Sequence, residues 1–233
     1  MERFLGACGG SQQKALELYR YNLAISKAFY PVLNLFELFL RNNVNTVMTD
    51  YFGDSEWVIK QKTGFMNDPR LSSTRFFLRE SVLKAEPRLK RRGLELTSQN
   101  ILPELAFGFW CSLFEHVYNP FLKGSVMRCF SRRPAYADRE SVARTLIEIR
   151  DFRNKIYHNE PICLNSRGLS LCRAERVHSG ITRLLEWMDG ELREYVQYHD
   201  EVLERIAGAR GLMNEKCRMK NYNVGGGNIK EMA

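Results

Sequence analysis

The sequence predicts an all-α protein built around one compact helical bundle. Through most of the 233 residues, apolar side chains recur every three to four positions, the spacing of an amphipathic helix. The alternating pattern of a half-buried strand is nearly absent, and no segment repeats at a fixed period. We therefore expect a single domain over residues 1–210 and a flexible tail over 211–233, where three consecutive glycines interrupt any pattern.

The first half of the chain predicts three helices. Ser11 is a candidate N-cap for the first helix, and Pro31 suits the first turn of the second. Residues 51–73 mix aromatic residues with Gly, Asp, Asn and Pro, which predicts a long, partly packed connection. The third helix is expected over about residues 73–92, with Pro87 kinking or ending it.

The second half predicts a buried central helix over residues 101–118, which are apolar on most sides. Asp138 can cap a later helix whose apolar stripe reaches Ile156, and Pro161 is a natural stop for it. The other predicted helices cover about residues 120–130, 174–187 and 190–206.

Lysine and arginine number 35 against 27 aspartates and glutamates, which gives a net charge of +8. An excess of this size fits a polyanion such as RNA. Two groups of basic residues are candidates for RNA contact, with solvated helix ends as the alternative explanation. The groups are Lys84, Arg88, Lys90, Arg91 and Arg92, and Arg132 and Arg133.

Six scattered cysteines without a CxxC pair predict free thiols in a reducing compartment. No apolar run reaches the roughly 18 residues that a membrane span needs, and the N-terminus is a poor secretory signal. We therefore expect a cytoplasmic protein with no membrane partner.

The stretch EIRDFRNKIYHNEPI, residues 148–162, concentrates polar groups near a predicted helix end. At about 100° per residue, Arg153 falls inside the apolar stripe, whereas Asn154 and His158 share another face. A structural explanation exists for each: an arginine pairs with a buried carboxylate, and a histidine is favoured at a helix C-terminus.

The same groups also suit metal-independent RNA cleavage, in which the ribose 2′-OH attacks its own phosphate. Histidine exchanges a proton near neutral pH, arginine grips a phosphate with its planar fork, and asparagine orients either group. No second half of a zinc-deaminase motif, serine elbow, P-loop or dinucleotide fingerprint occurs. We therefore expect no metal and no cofactor.

RNKIYHNEPI resembles the RNxxxH signature of the HEPN ribonuclease superfamily, and more specifically the Abi-like (abortive-infection, AbiD/AbiF-type) bacterial proteins. Residues 15–45, 104–114 and 181–196 resemble further blocks of that family in the same order. The resemblance covers roughly residues 3–205. It implies an HEPN-like helical bundle with additional helices, and a metal-independent endoribonuclease of anti-phage defence or toxin type.

The resemblance carries the catalytic roles onto Arg153, Asn154 and His158, with Arg150 and Lys155 as neighbouring candidates for RNA contact. The chain departs from the family at Asn159, where a second histidine is typical. It also departs at Asn45, where the first block often has a histidine; Asn cannot exchange a proton near pH 7. The candidate auxiliary or structural residues are Glu37, Arg41 and Asn42, and Glu37 is expected to pair with Arg41 one turn away.

One arginine and one histidine form half of an acid–base site, so we expect a homodimer with a composite active site. Two alternatives remain: a module that binds RNA without cutting it, and a toxin subunit held inactive by an RNA or protein antitoxin. His178 and His199 are expected to be surface or packing residues.

Overall fold

The computed structural model describes residues 1–165 and 168–210 and is all-α, with 74% helical content. The all-α prediction is confirmed, while the tail predicted for 211–233 lies outside the described residues.

The α-helices are α1 Glu2–Ala7, α2 Gln12–Phe52, α3 Trp57–Lys60, α4 Phe77–Arg91, α5 Ser98–Ile101, α6 Phe107–Ser112, α7 Asn119–Leu122, α8 Arg139–Tyr157, α9 Cys172–Met188 and α10 Gly190–Gln197. Short 3-10 helices cover Phe65–Asn67, Pro69–Thr74, Leu102–Glu104, His116–Tyr118 and Ser125–Cys129. Residues 202–210 are also helical, and β1 Leu164–Asn165 pairs with β2 Gly168–Leu169 as an antiparallel ladder.

Helix α2 is a single helix of 41 residues, so the prediction of two helices meeting at Pro31 is wrong. Proline at position 31 removes the donor for the carbonyl of Lys27. Lys27 is exposed, and water can replace the missing donor there without breaking the helix. The helix ends at Gly53, whose φ of 63° is left-handed.

The core is organised along α2, which buries Ile25, Phe29, Phe36 and Leu40 completely. By length and composition alone this helix could also cross a membrane, since one 18-residue window has a mean hydropathy of 1.4. The expectation of no membrane partner therefore stays a prediction. A core helix of a soluble protein passes the same test, and 44% of the window is buried inside the fold.

Three predicted helices are shorter or more broken than their periodicity indicates. Helix α4 starts only at Phe77, because Arg75 and Phe76 adopt left-handed φ values of 54° and 52°; it continues through Pro87. The segment 101–118 is buried as expected but divides into short α and 3-10 turns. The predicted helix at 120–130 is interrupted where Lys123 and Gly124 are left-handed.

Helix α8 begins as predicted, with the Asp138 carboxylate accepting the backbone N–H of Ser141 at 2.8 Å. It packs against α6 and α9, and α9 packs in turn against α10 and α2. The last predicted helix, 190–206, divides in two, since α10 ends at Gln197 and a separate helix starts at residue 202.

Candidate functional site

The C-terminal end of α8 lies along α2 in an antiparallel seam that contains the predicted motif. Residue numbers rise along the α8 side while those of their partners on α2 fall. The contacts in order are Arg153 with Glu37, Tyr157 with Asn34, and Ile162 with Asn22.

Arg153 lies in this seam, half-buried rather than fully inside the core. Its Nη2 donates to Glu37 Oε2 at 3.4 Å, and its guanidinium lies 3.9 Å from the ring centroid of Tyr157. Its Nε is buried and has no hydrogen-bond partner among the described residues. The arginine is therefore paired with a carboxylate, as the structural explanation expects, but its guanidinium does not have all of its hydrogen bonds.

Tyr157, one turn after Arg153 at the end of α8, packs its ring against the Arg153 guanidinium. Its hydroxyl donates to Asn34 Oδ1 at 2.6 Å, and its ring contacts that of Tyr30 at a centroid distance of 5.2 Å. Burial, together with the nearby Glu37 and Tyr30, raises the pKa of Tyr157, so the phenol stays a hydrogen-bond donor at neutral pH. This network fixes the ring plane on which the Arg153 guanidinium rests.

Glu37 pairs with Arg153 rather than with Arg41, which corrects the expectation from the sequence. Arg41 lies close enough to act on Glu37 through its charge, but its own Nε donates to Asn42 Oδ1 at 3.4 Å. Burial raises the pKa of Glu37, although both arginines favour its ionised form. Asn42 is exposed, and its side chain makes no other hydrogen bond in the described part of the chain.

The helix end that carries His158 is closed by a Schellman motif. The backbone N–H of Glu160 donates to the Lys155 carbonyl at 2.8 Å, and that of Asn159 donates to Ile156 at 3.0 Å. Asn159 provides the left-handed residue, with φ 53°. Asparagine is, after glycine, the residue that most readily takes this position, which gives Asn159 a backbone role at the point where it departs from the family pattern.

His158 is the C-cap of α8, and its side chain is exposed, as is that of Asn154 one turn earlier. Neither side chain hydrogen-bonds to any described residue. An imidazole and an amide therefore face solvent at the end of the helix that carries Arg153, on a different face of that helix. An exposed imidazole can transfer a proton, and an arginine held in one orientation can bind an anion.

The other two basic candidates on α8 differ in their surroundings. Arg150 is engaged, with carboxylate oxygens of Asp151 at 3.2 Å and Glu115 at 3.7 Å. Lys155 is partly exposed and has no side-chain partner among the described residues. Lys155 is therefore the better placed of the two for contact with a phosphate.

The remaining basic candidates lie on other elements and make no contact with Arg153 or His158. Arg88 of α4 and Arg92, the residue after α4, share Glu104, whereas the other members of that group are exposed and unpaired within the described chain. Arg132 pairs with Asp189, and Arg133 donates to backbone carbonyls. In the first group, the residues without a partner among the described residues are Lys84, Lys90 and Arg91.

Asn45 has a structural partner, because its Oδ1 accepts the indole N–H of the buried Trp57 at 2.9 Å. This position therefore supplies no acid or base to the site. Within residues 1–165 and 168–210, no group of three or more metal-ligating side chains comes together. The five described cysteines are free thiols; burial raises the pKa of Cys163 to about 11 and that of Cys129 to about 12.

Sequence reasoning missed four site residues, namely Tyr157, Asn34, Tyr30 and Asn22. Tyr157 immediately precedes His158, and an aromatic residue beside the motif was a visible signal. The three residues on α2 carry no local signal, because their roles depend on the antiparallel contact with α8.

Comparison with protein-family models, with curated proteins and with solved structures gave no match to this chain. The likeness to the Abi-like HEPN proteins therefore rests on the motifs described above.

Proposed function

We propose that this protein is a metal-independent endoribonuclease of the HEPN, Abi-like type, acting in the bacterial cytoplasm in anti-phage defence or as a toxin. The observation that carries the proposal is that one helix end holds both an exposed, unengaged His158 and an Arg153 that is held by Glu37 and Tyr157. The all-α fold agrees with an HEPN-like bundle with additional helices.

In the proposed reaction, the ribose 2′-oxygen attacks the adjacent phosphorus and the bond to the 5′-oxygen breaks. His158 of one subunit takes the proton from the 2′-hydroxyl, His158 of the second subunit gives a proton to the leaving 5′-oxygen, and Arg153 stabilises the charge on the phosphate oxygens. Asn154, exposed on the same face as His158, binds a phosphate oxygen or orients the imidazole. The products carry a 2′,3′-cyclic phosphate and a 5′-hydroxyl, and no step calls for a metal.

The proposal includes a homodimer with a composite site. Leu16, Leu23 and Tyr30 are 49%, 41% and 37% exposed and lie seven residues apart, so they share one face of α2. Tyr30 touches Tyr157, which joins this apolar face to the candidate site. A second copy seated there would bring two arginines and two histidines into one groove, made positive by the exposed Arg20 and Lys27.

The proposed cleavage is tested by incubating purified protein with labelled tRNA and total RNA in EDTA. The chemical ends of the RNA products are then mapped. His158→Ala should lower cleavage by roughly 10²–10⁴-fold. The matched control is His199→Ala. It alters an exposed histidine two residues after the end of α10, and the variant should cleave RNA at the wild-type rate. Wild-type cleavage by His158→Ala, or 3′-hydroxyl ends that require magnesium, would refute the proposed mechanism.

The composite site is tested by mixing His158→Ala with Arg153→Ala subunits and measuring both mass and cleavage. In the otherwise unchanged protein, Leu23→Glu should halve the mass and abolish cleavage, because it separates the two halves of the site. A fully active monomer would refute the composite site while leaving the role of His158 intact.

The two alternatives predict different results. A module that only binds RNA would show salt-dependent affinity with no product ends. A subunit held silent by an RNA or protein antitoxin would lose its cleavage when that partner is added.

A further inference from the structure

The cation proposed to bind phosphate is already in contact with an anion of its own chain. Glu37 Oε2 lies 3.4 Å from Arg153 Nη2, and the two side chains are 23% and 25% exposed. At this exposure solvent reaches the pair, so the contact is open to exchange with an incoming ligand.

The Glu37–Arg153 contact uses only one of the guanidinium's donors, which favours exchange with another anion. A guanidinium binds a carboxylate or a phosphate best through two parallel N–H donors. Here a single Nη2 contact at the long end of the hydrogen-bond range is formed, while Nε has no partner among the described residues. Tyr157 covers one face of the guanidinium, so exchange takes place at its edge.

The charged and titratable groups that face Glu37 come from three helices. They are Arg153 and Tyr157 from α8, Arg41 from α2 itself, and Cys111 from α6. Both arginines favour the carboxylate, yet burial outweighs them and raises the pKa of Glu37. The carboxylate is therefore held by Arg153 but protonates more easily than an exposed glutamate.

We infer that Glu37 occupies, in the free protein, the place on Arg153 that an RNA phosphate takes in the complex. Glu37 is then a positioning residue. It orients the Arg153 guanidinium for a phosphate, and the Glu37–Arg153 contact breaks when RNA binds. This inference rests on the proposed function, because it concerns the same Arg153 and the same substrate class. The exchange follows from charge, since two anions cannot share one half-buried cation at low cost.

A phosphate beside Glu37 also favours its protonation, so RNA binding should take up a proton. Affinity for RNA should then rise as the pH falls through the pKa of Glu37. Removing the charge at Glu37 should strengthen binding at neutral pH and abolish this part of the pH dependence. A residue that merely stabilises the fold would move neither quantity.

The test measures the Kd of a single-stranded 2′-O-methyl oligoribonucleotide, which cannot be cleaved, between about pH 5 and pH 8. Glu37→Gln should bind roughly tenfold tighter than wild type at the upper pH, equivalent to about 1.4 kcal/mol, and the two should converge at the lower pH. The matched control is Asp50→Asn, which removes an exposed carboxylate from the same helix and should follow wild type. With a cleavable RNA, Glu37→Gln should lower both KM and kcat, because the guanidinium loses its orientation.

Two further measurements separate the contribution of Glu37 from other effects. His158 is also proposed to exchange a proton with the RNA, so the series is repeated in a His158→Gln background, where the difference caused by Glu37→Gln should persist. Arg41→Gln should shift the midpoint of the affinity change to higher pH, because Arg41 lowers the pKa of Glu37. This variant leaves the Glu37–Arg153 contact in place.

Equal affinity and equal pH dependence of Glu37→Gln and wild type would overturn the inference. If His158→Ala abolishes cleavage at the same time, only the role of Glu37 fails. If His158→Ala cleaves like wild type, the proposed function fails whatever Glu37 does.

Discussion

The side-chain oxygen of Asn22 accepts the backbone N–H of Ile162 at 2.8 Å, across 140 positions of the chain. The N–H of Cys163 approaches the same oxygen at 3.4 Å. Asn22 is only 2% exposed, so this contact satisfies backbone donors that water does not reach. Ile162 follows His158 by four residues, and the hydrogen bond therefore holds the motif against α2.

Replacing Asn22 with leucine should destabilise the protein and impair the site together. The change keeps the volume but removes the acceptor, which leaves buried N–H groups unpaired at a cost of about 1–3 kcal/mol. Urea unfolding measures the loss of stability, and RNA cleavage should fall because His158 is no longer held. The control is Gln13→Ala, an exposed change on the same helix that should alter neither. Wild-type stability of Asn22→Leu would show that the contact does not anchor the segment.

The left-handed backbone of Asn159 predicts a graded response to substitution. Asn159→Val should lower the free energy of unfolding by about 1–2 kcal/mol, because a β-branched residue clashes in this conformation. Asn159→Gly should be at least as stable as wild type. Denaturant unfolding of the two variants checks this order.

Asn159→His tests the departure from the family pattern at the same position. Histidine is also enriched in left-handed conformations, so this variant should keep both stability and RNA cleavage. A large gain in cleavage would assign a chemical role to the family's second histidine that Asn159 does not perform.

Tyr157 contributes its ring and its hydroxyl to different partners, and the two can be separated. Tyr157→Phe removes the hydrogen bond to Asn34 but keeps the ring under Arg153, so cleavage should fall only a few-fold. Tyr157→Ala removes the cation–π contact of about 0.5–2 kcal/mol, and cleavage should fall by roughly tenfold or more. Single-turnover cleavage rates with saturating protein measure both effects. Equal rates for the two variants would show that the ring does not orient Arg153.

The sequence was sufficient for features that depend on neighbours within one helix. The Asp138 cap and the position of His158 at a helix end both follow from local spacing, whereas Arg153, expected inside the apolar stripe, is half-buried. The fold class follows for the same reason, since periodicity reports directly on helices.

Features that depend on distant contacts or on single backbone angles were not predictable in this way. Pro31 predicted a helix start, but the hydrogen bond that it removes falls at the exposed residue Lys27, where water can take the place of the missing donor. The breaks at Phe76 and Lys123 come from left-handed residues whose side chains give no such signal. The ion pair of Glu37 with Arg153 joins residues 116 positions apart, whereas spacing favoured its neighbour Arg41.

The pairing of Asp200 with His178 predicts a pH-dependent contribution to stability. His178 is buried, and its Nε2 lies within hydrogen-bond distance of Asp200 Oδ2, while the N–H of Val202 donates to Asp200 Oδ1 at 3.0 Å. Burial acts to raise the pKa of Asp200, but these hydrogen bonds outweigh it and hold the pKa below the usual 3.8. The carboxylate therefore fastens the start of the helix at 202–210 to α9.

Because the pKa of Asp200 is depressed by folding, its contribution is present above the unfolded value of about 3.8 and is lost as the pH falls through the folded value. At about pH 7, Asp200→Asn should lower the free energy of unfolding by about 1–3 kcal/mol, and the deficit should shrink below about pH 4. Asp200→Ala, which also removes the acceptor for Val202, should be less stable than Asp200→Asn across the range. Glu194→Gln, an exposed change on α10, should follow wild type. A deficit that stays constant down to the acid end would assign the effect to lost packing instead of the charge on Asp200.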